Sequence, residues 1–372
     1  MANPYDPQTP ARPQYFGGRK KVLKQIQERI DAAKFHHASG AVLIHGHRGV
    51  GKTSLLKKVI YNVNADQMKG AKVLYFYRRL GRTTNDEEMY RMLNEELSSA
   101  FEVRKNWFQK MKSAGRHLEM VNLSWLRVKI PADSQESPYL LWKSNLRNLV
   151  GIEDYVLVAI DDADFLSVEA IGELKTIVED AGPVPVLLVV SGGTMFEQRL
   201  VDAYSPVARI FSGASFNIGK LDPEETREVL EKPLQGEQTA WDTKAINEIH
   251  KLTGGYPYLI QCLASASYRK DERITEKDVR SRVHDAIEIG KSWLNHEIPN
   301  ASDQDIISFI KITRLDKGIL QSADMLKAGI QAVYVGRLVR QGILRKISRG
   351  RYELQKSPII AEFEKLKRSL QI

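Results

Sequence analysis

The sequence is poor in cysteine and has no long apolar run. Its single cysteine, Cys262, excludes an internal disulfide, and its eight histidines are too scattered to supply a structural zinc site. The longest apolar stretch, residues 184–190, falls far short of the ~20 residues that a membrane-spanning helix needs. The start of the chain lacks the layout of a signal peptide. We therefore expect a cytoplasmic protein without a membrane partner.

Positive charge is unevenly distributed along the chain. The 372 residues carry a formal charge of +9, and from residue 300 onward fourteen Lys and Arg stand against seven Asp and Glu. The last fifth of the chain therefore holds a surplus of seven positive charges. A basic excess confined to one module indicates an anionic partner for that module.

Short apolar runs alternate with helical stretches in the first 220 residues. Such runs are typical of central parallel strands, which are covered on both faces. The alternation with helices predicts an α/β domain with a parallel sheet. The predicted strands are residues 41–45, 72–77, 155–160 and 184–190.

After Pro223 the pattern becomes helical and predicts a small helical lid. Each predicted helix starts near a proline, threonine or aspartate, as helix N-termini commonly do. The predicted lid helices are residues 223–234, 243–252, 258–268 and 275–289.

The last segment has the pattern of a winged helix. Three helices are predicted at residues 303–313, 322–327 and 329–341. Residues 342–354 then form a predicted hairpin that turns at residues 349–351. Three helices closed by a basic hairpin make up a winged-helix module.

A glycine-rich loop joins the first predicted strand to a helix. Glycines let backbone N–H groups face inward around phosphate oxygens, and the following helix presents its positive N-terminal end. We predict that Lys52 reaches the β- and γ-phosphates of ATP and that the Thr53 hydroxyl binds magnesium. A plain glycine-rich turn is the alternative, which the flanking strand and helix disfavour. The predicted nucleotide contacts are Gly46, His47, Arg48, Gly49, Val50, Gly51, Lys52, Thr53 and Ser54.

Two aspartates follow the predicted strand 155–160. A magnesium–phosphate site needs a carboxylate from the end of a neighbouring strand, so Asp161 is predicted to hold the metal, directly or through water. Asp162 is placed to orient or deprotonate the attacking water. Ser191, after the next strand, offers a hydroxyl to the γ-phosphate or the water. An acidic turn at Asp161 and a helix cap at Ser191 remain the structural alternatives.

These elements divide the chain into four predicted parts. Prolines at positions 4, 7, 10 and 13 exclude a helix at the start. A charged segment at about residues 102–133 fits neither the helical nor the strand period and is treated as an insertion. The parts are an extended arm at 1–18, a P-loop ATPase core at 19–220, a helical lid at 221–298 and a winged helix at 299–372.

Several motifs together resemble a known family. Phe16-Gly17-Gly18-Arg19 resembles the Phe-x-Gly-Arg box of AAA+ and STAND ATPases. The glycine-rich loop, the Asp161–Asp162 pair and residues 221–225 and 254–259 look like those of prokaryotic ATPases related to the origin-recognition initiators. The resemblance covers about residues 3–360 and implies an AAA+ type of P-loop fold with ATP and Mg²⁺ as ligands.

The resemblance also implies roles for five further positions. Phe16, Gly18 and Arg19 would hold the adenine edge, and Pro257 would lie against the base from the lid. Arg209 would be an arginine finger for a neighbouring subunit in a nucleotide-dependent homo-oligomer, although a solvated surface charge is the alternative. AAA+ proteins usually have Glu where this chain has Asp162. The shorter acid favours slow, switch-like turnover.

The predicted third helix of the winged module is amphipathic. Tyr334, Arg337, Arg340 and Gln341 share a face that could enter a DNA major groove, opposite an apolar set that includes Val333. Basic winged helices also pack against their own ATPase domain or against partner proteins. The predicted DNA contacts are Arg337, Arg340, Arg345, Lys346, Arg349 and Arg351, with those of the hairpin clasping phosphates or the minor groove.

Two functions fit these observations. In the first, ATP sets the state of an assembly on double-stranded DNA, as in initiator-like ATPases. In the second, the chain is a STAND-like signalling switch whose winged helix is an autoinhibitory or protein-interaction module. A pure structural protein would have no use for a complete magnesium–nucleotide site.

Overall fold

A computed structural model describes residues 3–81, 84–113, 137–147, 153–180, 184–294, 297–298, 301–315, 317 and 319–369. The chain divides into two compact units. The first comprises Met1–Arg19, Gly46–Leu55 and Ile218–Ile372, and the second comprises Lys20–His45 and Leu56–Asn217. Residues 114–136, which contain most of the predicted insertion, lie outside the described residues.

A five-stranded parallel sheet forms the centre of the second unit, which confirms the predicted α/β fold. The strand order is β2-β3-β4-β1-β5. Every residue of β3 and β4 is buried, as expected for the apolar sequences of central parallel strands. The strands are β1 (Gly40–His45), β2 (Val73–Arg79), β3 (Tyr155–Asp161), β4 (Val186–Gly192) and β5 (Ser215–Asn217).

Helices cover this sheet and bury aromatic side chains against it. Trp142 is fully buried, with its ring centroid 6.5 Å from that of Phe76 and 6.3 Å from that of Tyr90. Residues 102–113, which begin the predicted insertion, belong to α3. The helices are α1 (Lys20–His36), α2 (Lys52–Met68), α3 (Asp86–Ser113), α4 (Pro138–Arg147), α5 (Val168–Glu179) and α6 (Phe196–Ala208).

The lid in the first unit is helical, as predicted, with one break. Asp222 caps the first lid helix in a capping box with Glu225. The single helix predicted at 275–289 is wrong, because the chain leaves helical geometry at Arg282, where φ is −107° and ψ is 7°. The elements are α7 (Pro223–Glu231), β6 (Ala240–Trp241), α8 (Thr243–Thr253), α9 (Pro257–Ser267), β7 (Arg273–Ile274), α10 (Glu276–Ser281) and α11 (Val283–Leu294).

The proline-rich arm is fastened to the lid through Tyr5. Tyr5 is 2% exposed, and its ring lies edge-on to Trp241 and Tyr268. Its hydroxyl donates to the carbonyl of Leu230 and accepts from Trp241 Nε1 at 2.7 Å. Burial raises the pKa of Tyr5, so the hydroxyl keeps its proton as a donor.

The C-terminal module has the helix and strand order of a winged helix. Its three strands pair antiparallel in the order β8-β10-β9. The third helix starts at Ala332 and not at the predicted residue 329, because Gly329 adopts a left-handed φ of 72°. The elements are α12 (Asp303–Thr313), β8 (Ile319–Gln321), α13 (Ser322–Lys327), α14 (Ala332–Arg340), β9 (Leu344–Ser348), β10 (Arg351–Leu354) and α15 (Ile359–Arg368).

A buried carboxylate ties α12 to α14. Asp305 is fully buried and accepts hydrogen bonds from Ser302 Oγ at 2.7 Å, Arg337 Nη2 at 2.8 Å and Gln341 Nε2 at 3.1 Å. Burial alone would raise the pKa of Asp305, but the hydrogen bonds from Ser302 and Gln341 and the charge of Arg337 outweigh it and lower the pKa. The module therefore depends on Asp305 being ionised. None of the described helices is long and apolar enough to cross a membrane.

Replacing Asp305 with Asn removes the charge from this network. We expect a loss of about 1.5–3 kcal/mol in the free energy of unfolding at pH 7, the usual contribution of a hydrogen bond to a charged group. The folded-state pKa of Asp305 lies below its ordinary 3.8, so this stabilisation is present above that pH and is lost as the pH falls through the lowered pKa. Urea unfolding followed by circular dichroism should show the full difference at pH 7 and a smaller one below pH ~4.

The matched control is Asp303→Asn, because Asp303 is exposed in the first turn of the same helix. An equal loss of stability in both variants would contradict a special role for Asp305.

Candidate functional site

The loop from Gly46 to Gly51 follows β1 directly, and α2 begins at the next residue, Lys52. Gly49 and Gly51 have φ of 87° and 91°, a region that disfavours residues with a side chain. A Cβ on Gly46 would lie 2.2 Å from the carbonyl oxygen of Ile218, so no side chain fits there. Glycine is therefore required at positions 49 and 51 by the backbone conformation and at position 46 by the packing against Ile218. We call residues 46–54 the phosphate loop.

The phosphate loop fits an anionic ligand. Lys52 Nζ donates to the carbonyls of Gly46 at 2.9 Å and His47 at 3.2 Å, so the ammonium lies over the loop. A Cβ on Gly51 would meet no described atom within 4 Å, which leaves open space beside the loop backbone. The first turn of α2, described in full, contains no acidic residue to oppose a phosphate.

Ser54, a predicted nucleotide contact, is engaged by the arm. Its Oγ accepts a hydrogen bond from Ala11 N at 3.1 Å. Thr53, the predicted magnesium ligand, precedes it in the first turn of α2 and is half-buried. The arm therefore reaches the start of the helix that follows the phosphate loop.

Three predicted residues come together at the ends of β3 and β4. Asp161 is fully buried, and its Oδ1 accepts a short hydrogen bond from Ser191 Oγ. Ser191 Oγ also accepts from Asp162 N at 3.2 Å. An ionised carboxylate is a hard oxygen donor of the kind that Mg²⁺ prefers, so the cluster fits a magnesium ligand. We call Asp161, Asp162 and Ser191 the acid cluster.

Two residues of β2 complete the acid cluster and were missed from the sequence. Tyr77 Oη donates to Asp161 Oδ2 at 3.2 Å, and Arg79 Nε donates to Asp162 Oδ2 at 2.8 Å. The bond to Asp162 raises the pKa of Arg79, and burial, with the charge of Asp161, raises the pKa of Tyr77. Arg79 lies opposite Asp161 in the parallel register of β2 and β3, a pairing that no local sequence pattern marks.

Asp162 itself has a backbone conformation that is unusual for a residue with a side chain. Its φ is 57° and its ψ is 43°, in the left-handed region. Such a conformation costs on the order of 1 kcal/mol, and Asp tolerates it better than most residues. The hydrogen bonds to Ser191 and Arg79 hold Asp162 in place. The local turn is therefore organised around the second acid.

The Phe16-Gly17-Gly18-Arg19 box binds the start of α7. Gly18 N donates to Glu228 Oε2 at 3.1 Å, and Arg19 N donates to Glu225 Oε1 at 2.7 Å. A Cβ on Gly17 would lie 2.6 Å from the backbone of Glu228, and Phe16 is 7% exposed. The box and the beginning of the lid thus form one packed element, in which Glu225 and Glu228 are partners that the motif alone did not reveal.

The start of α9 touches the phosphate loop. Pro257 is the first residue of α9, and the next residue, Tyr258, donates its backbone N–H to the carbonyl of Gly49 at 3.4 Å. The Tyr258 ring lies edge-on to Trp293, with centroids 4.6 Å apart. The position of Pro257 beside a base stays a prediction.

The C-terminal segments also contact the phosphate loop. Ser357 Oγ donates to the carbonyl of Arg48 at 2.9 Å, and a Cβ on Gly49 would lie 2.9 Å from Ile359 Cδ1. The Arg48 guanidinium lies 5.2 Å from the Trp293 ring centroid and pairs with Glu297 at 3.3 Å. Lys356 does not contact the loop in these bonds, but its Nζ donates to Glu297 Oε2 at 3.2 Å. We call these residues the loop clamp, which consists of Trp293, Glu297, Lys356, Ser357 and Ile359.

The predicted DNA contacts fall into two groups. Arg337 is bound to Asp305, and Arg345 pairs with Glu353, its Nε lying 2.8 Å from Oε2. The other four, Arg340, Lys346, Arg349 and Arg351, are exposed, as Arg345 also is. Arg209, the predicted arginine finger, is exposed in the short turn Arg209–Phe211 that follows α6.

Comparison with known proteins agrees with this architecture. The model of a family described as an AAA domain matches residues 36–200. No curated protein matches the sequence.

Three solved structures share the fold over nearly the whole chain. The Aeropyrum pernix ORC2 protein, solved as ADPNP and ADP complexes, is 15% identical with a TM-score of 0.56, covering 95% of this chain and 93% of that chain. The A. pernix ORC1 protein in complex with DNA is 15% identical with a TM-score of 0.51, over 95% and 93%. Cdc6p from Pyrobaculum aerophilum is 14% identical with a TM-score of 0.52, over 98% of each chain. Residues 36–200 therefore match an AAA domain, and the chain shares the P-loop AAA+ fold of these three proteins.

Proposed function

We propose that this protein is a slow ATPase that couples its nucleotide state to the binding of double-stranded DNA. One observation carries the proposal: the module that presents the exposed basic wing also contacts the phosphate loop, through the hydrogen bond from Ser357 Oγ to the carbonyl of Arg48. A ligand that reorders the loop backbone acts directly on this contact. This hydrogen bond would thus connect the predicted ATP site to the predicted DNA-binding module.

The phosphate loop and the acid cluster supply the residues for hydrolysis. Lys52 would exchange its two loop carbonyls for phosphate oxygens, and Thr53 and Asp161 would hold magnesium. Bound magnesium would neutralise charge on the transferred phosphoryl group. Asp162 would accept the proton of the attacking water, with Ser191 positioning the turn that carries it. The ADPNP and ADP complexes of A. pernix ORC2, which has the same fold, support ATP as the nucleotide.

The wing provides the surface for DNA. Arg340, Lys346, Arg349 and Arg351 are exposed, in a part of the sequence with a large positive surplus. Lys and Arg that neutralise phosphates release counterions, and this release provides most of the affinity for nonspecific DNA. Arg337 and Arg345 share their charge with carboxylates, so we expect smaller contributions from them. The A. pernix ORC1 protein was solved in complex with DNA, which supports the same class of ligand.

A signalling switch is the second candidate, because the same loop clamp would also serve a protein that responds to its nucleotide without binding DNA. The clamp would then lock the nucleotide state, with the basic wing serving a protein contact. Arg209 would act as an arginine finger in a nucleotide-dependent homo-oligomer. A change in oligomer size with nucleotide, without any affinity for duplex DNA, would select this function over the first.

Lys52→Ala and Asp162→Asn separate ATP binding from ATP hydrolysis. We expect Lys52→Ala to weaken ATP binding, because it removes the ammonium from the phosphate loop. Asp162→Asn should leave binding nearly unchanged and lower kcat by at least about tenfold, since general bases contribute roughly 10²–10⁴-fold to rates. Fluorescent-nucleotide titration and steady-state phosphate release, with and without duplex DNA, measure the two effects.

The control for this pair is Lys69→Ala, an exposed lysine just beyond the end of α2. Hydrolysis at the wild-type rate in Asp162→Asn would assign the proton transfer to another group.

Replacing Arg349 and Arg351 with Ala should weaken binding to all duplexes alike. Loss of two phosphate contacts should lower the slope of log K against log salt by about 2. Fluorescence anisotropy with a labelled duplex at several salt concentrations measures both quantities. The double variant Arg273→Ala/Arg282→Ala removes the same charge from exposed lid positions and should bind like the wild type. Equal weakening in both double variants would indicate a general charge effect.

Ser357→Ala removes the hydrogen bond between the C-terminal module and the phosphate loop. We expect the factor by which ATP changes the DNA affinity to fall by about fivefold, since one such hydrogen bond is worth roughly 1 kcal/mol. The measurement compares DNA affinities with and without ATP. The control is Ser369→Ala, whose hydroxyl donates locally to the Leu366 carbonyl at 2.7 Å. Unchanged coupling in Ser357→Ala would remove this contact from the proposed route.

A further inference from the structure

One arginine of α6 binds the turn that follows the acid cluster. Arg199 Nη1 donates to the carbonyl of Asp164 at 2.8 Å. Its Nη2 donates to the carbonyls of Ala163 at 3.4 Å and Leu166 at 3.2 Å. Carbonyl oxygens that converge on one point repel each other, and a cation between them removes the repulsion. The guanidinium therefore stabilises the conformation of residues 163–166, which we call the acid turn.

The acid turn continues directly from Asp162 and includes its carbonyl. Phe165 N donates to the carbonyl of Asp162 at 3.3 Å. The left-handed backbone of Asp162 belongs to a region in which residues with side chains stay only when their surroundings hold them. Ser191 binds its N–H and Arg79 binds its carboxylate. The carbonyl side of Asp162 is thus the side that depends on the acid turn.

The acid turn is also bound to the end of β4. Asp164 Oδ2 accepts a hydrogen bond from Gly193 N at 2.7 Å, and a Cβ on Gly193 would lie 3.2 Å from Asp164 Oδ1. Phe196, the first residue of α6, packs on Gly192, where a Cβ would lie 2.6 Å from its ring. The start of α6, the end of β4 and the acid turn therefore form one packed group.

The Arg199 side chain is half-buried and held by its own helix. Its guanidinium lies 5.0 Å from the centroid of the Phe196 ring, in a cation–π contact. A planar guanidinium presents its donors in fixed directions and can serve several carbonyls at once, whereas the ammonium of a lysine is a flexible point charge. The three bonds of Arg199 end on backbone carbonyls of the acid turn and not on the acid cluster. Arg199 would therefore act on the reaction only through the turn.

We propose that Arg199 positions Asp162 for the attack of water on ATP, by holding the acid turn in place. The inference rests on the proposed ATP hydrolysis and adds a residue of α6 to that site. Without the guanidinium, the converging carbonyls turn apart, and the Asp162 carboxylate leaves the place from which it accepts a proton. A misplacement of about 1 Å can lower a rate by about a hundredfold. Binding of ATP, which depends on the phosphate loop, should not change.

Steady-state phosphate release by the full chain, measured at varied ATP, tests the proposal. We expect Arg199→Ala to lower kcat by at least about tenfold and to change KM for ATP by less than about twofold. Arg199→Lys keeps a positive charge near the carbonyls and should have a kcat between those of Arg199→Ala and the wild type. Gln198→Ala is the matched control, because Gln198 is the exposed neighbour of Arg199 on α6 and donates to Asp202. It should keep the wild-type kcat.

A double-mutant cycle with Asp162→Asn distinguishes positioning from a general structural role. Arg199→Ala should change the residual rate of the Asp162→Asn protein by less than about twofold, because the group that Arg199 positions is already gone. Single-turnover measurements are suited to this low residual rate. An equal fold-loss in both backgrounds would overturn the inference, since Arg199 would then stabilise the fold as a whole.

Three further outcomes are decisive. An unchanged kcat in Arg199→Ala would overturn the inference and leave the proposed ATPase intact. Absence of hydrolysis that Lys52→Ala abolishes would remove the proposed function itself, and the role of Arg199 with it. Should Arg199→Ala not fold, as judged by thermal unfolding, the cycle is made with Arg199→Lys. A wild-type kcat in Arg199→Lys then overturns the inference, and a lower kcat that is not additive with Asp162→Asn supports it.

Discussion

The conformation of the phosphate loop is the constraint on which the first unit depends. Its glycines adopt backbone angles that residues with side chains avoid, and neighbouring groups fill the space where side chains would stand. Ile218 O closes over Gly46, while Ile359 and Trp293 close over Gly49. The loop is thus shaped by the lid and by the C-terminal module as well as by its own sequence. A change in loop conformation must be accommodated by both.

The contacts that confine the loop are individually weak. One hydrogen bond contributes about 1 kcal/mol, a partly exposed cation–π contact about 0.5–1 kcal/mol, and an exposed ion pair less than that. Together they amount to a few kcal/mol, comparable to the 1–3 kcal/mol of typical coupling between two sites. Contacts of this strength can be remade when a ligand orders the loop. The contacts of the loop clamp are therefore weak enough to break and form again when a ligand binds.

Short-range features of the molecule were predictable from sequence. The apolar runs located the central strands, and the capping residues located Pro223 and Thr243 as helix starts. The acid cluster followed in part from strand ends, but Tyr77 and Arg79 depended on the register between β2 and β3. The hydrophobic period and the capping residues locate strands and helices, but they do not tell which residues of two strands lie opposite each other. That register is set by packing across the sheet.

Contacts over long sequence separation were not predictable. Ser357 and Arg48 are 309 residues apart, and no local pattern marks either as a partner of the other. The same holds for Asp305, an ordinary capping-box residue by sequence, whose burial turns Arg337 inward. The amphipathic pattern of α14 predicted that Arg337 faces solvent. Such a pattern shows which residues are charged, but it does not show which charges are paired inside the protein. The buried acid on α12 binds the Arg337 guanidinium, although the Arg337 side chain stays 38% exposed.

The second acid adds a physical reason for slow turnover in the proposed function. Asp162 has a shorter side chain than the usual Glu, sits in a left-handed conformation and shares its charge with Arg79. A base must be free to reach the water, and each of these features limits its reach or its free charge. The exposed pair with Arg79 is worth at most about 1 kcal/mol, so a modest rearrangement releases it. Such a site favours retention of one nucleotide state over rapid cycling, which is the behaviour that a switch requires.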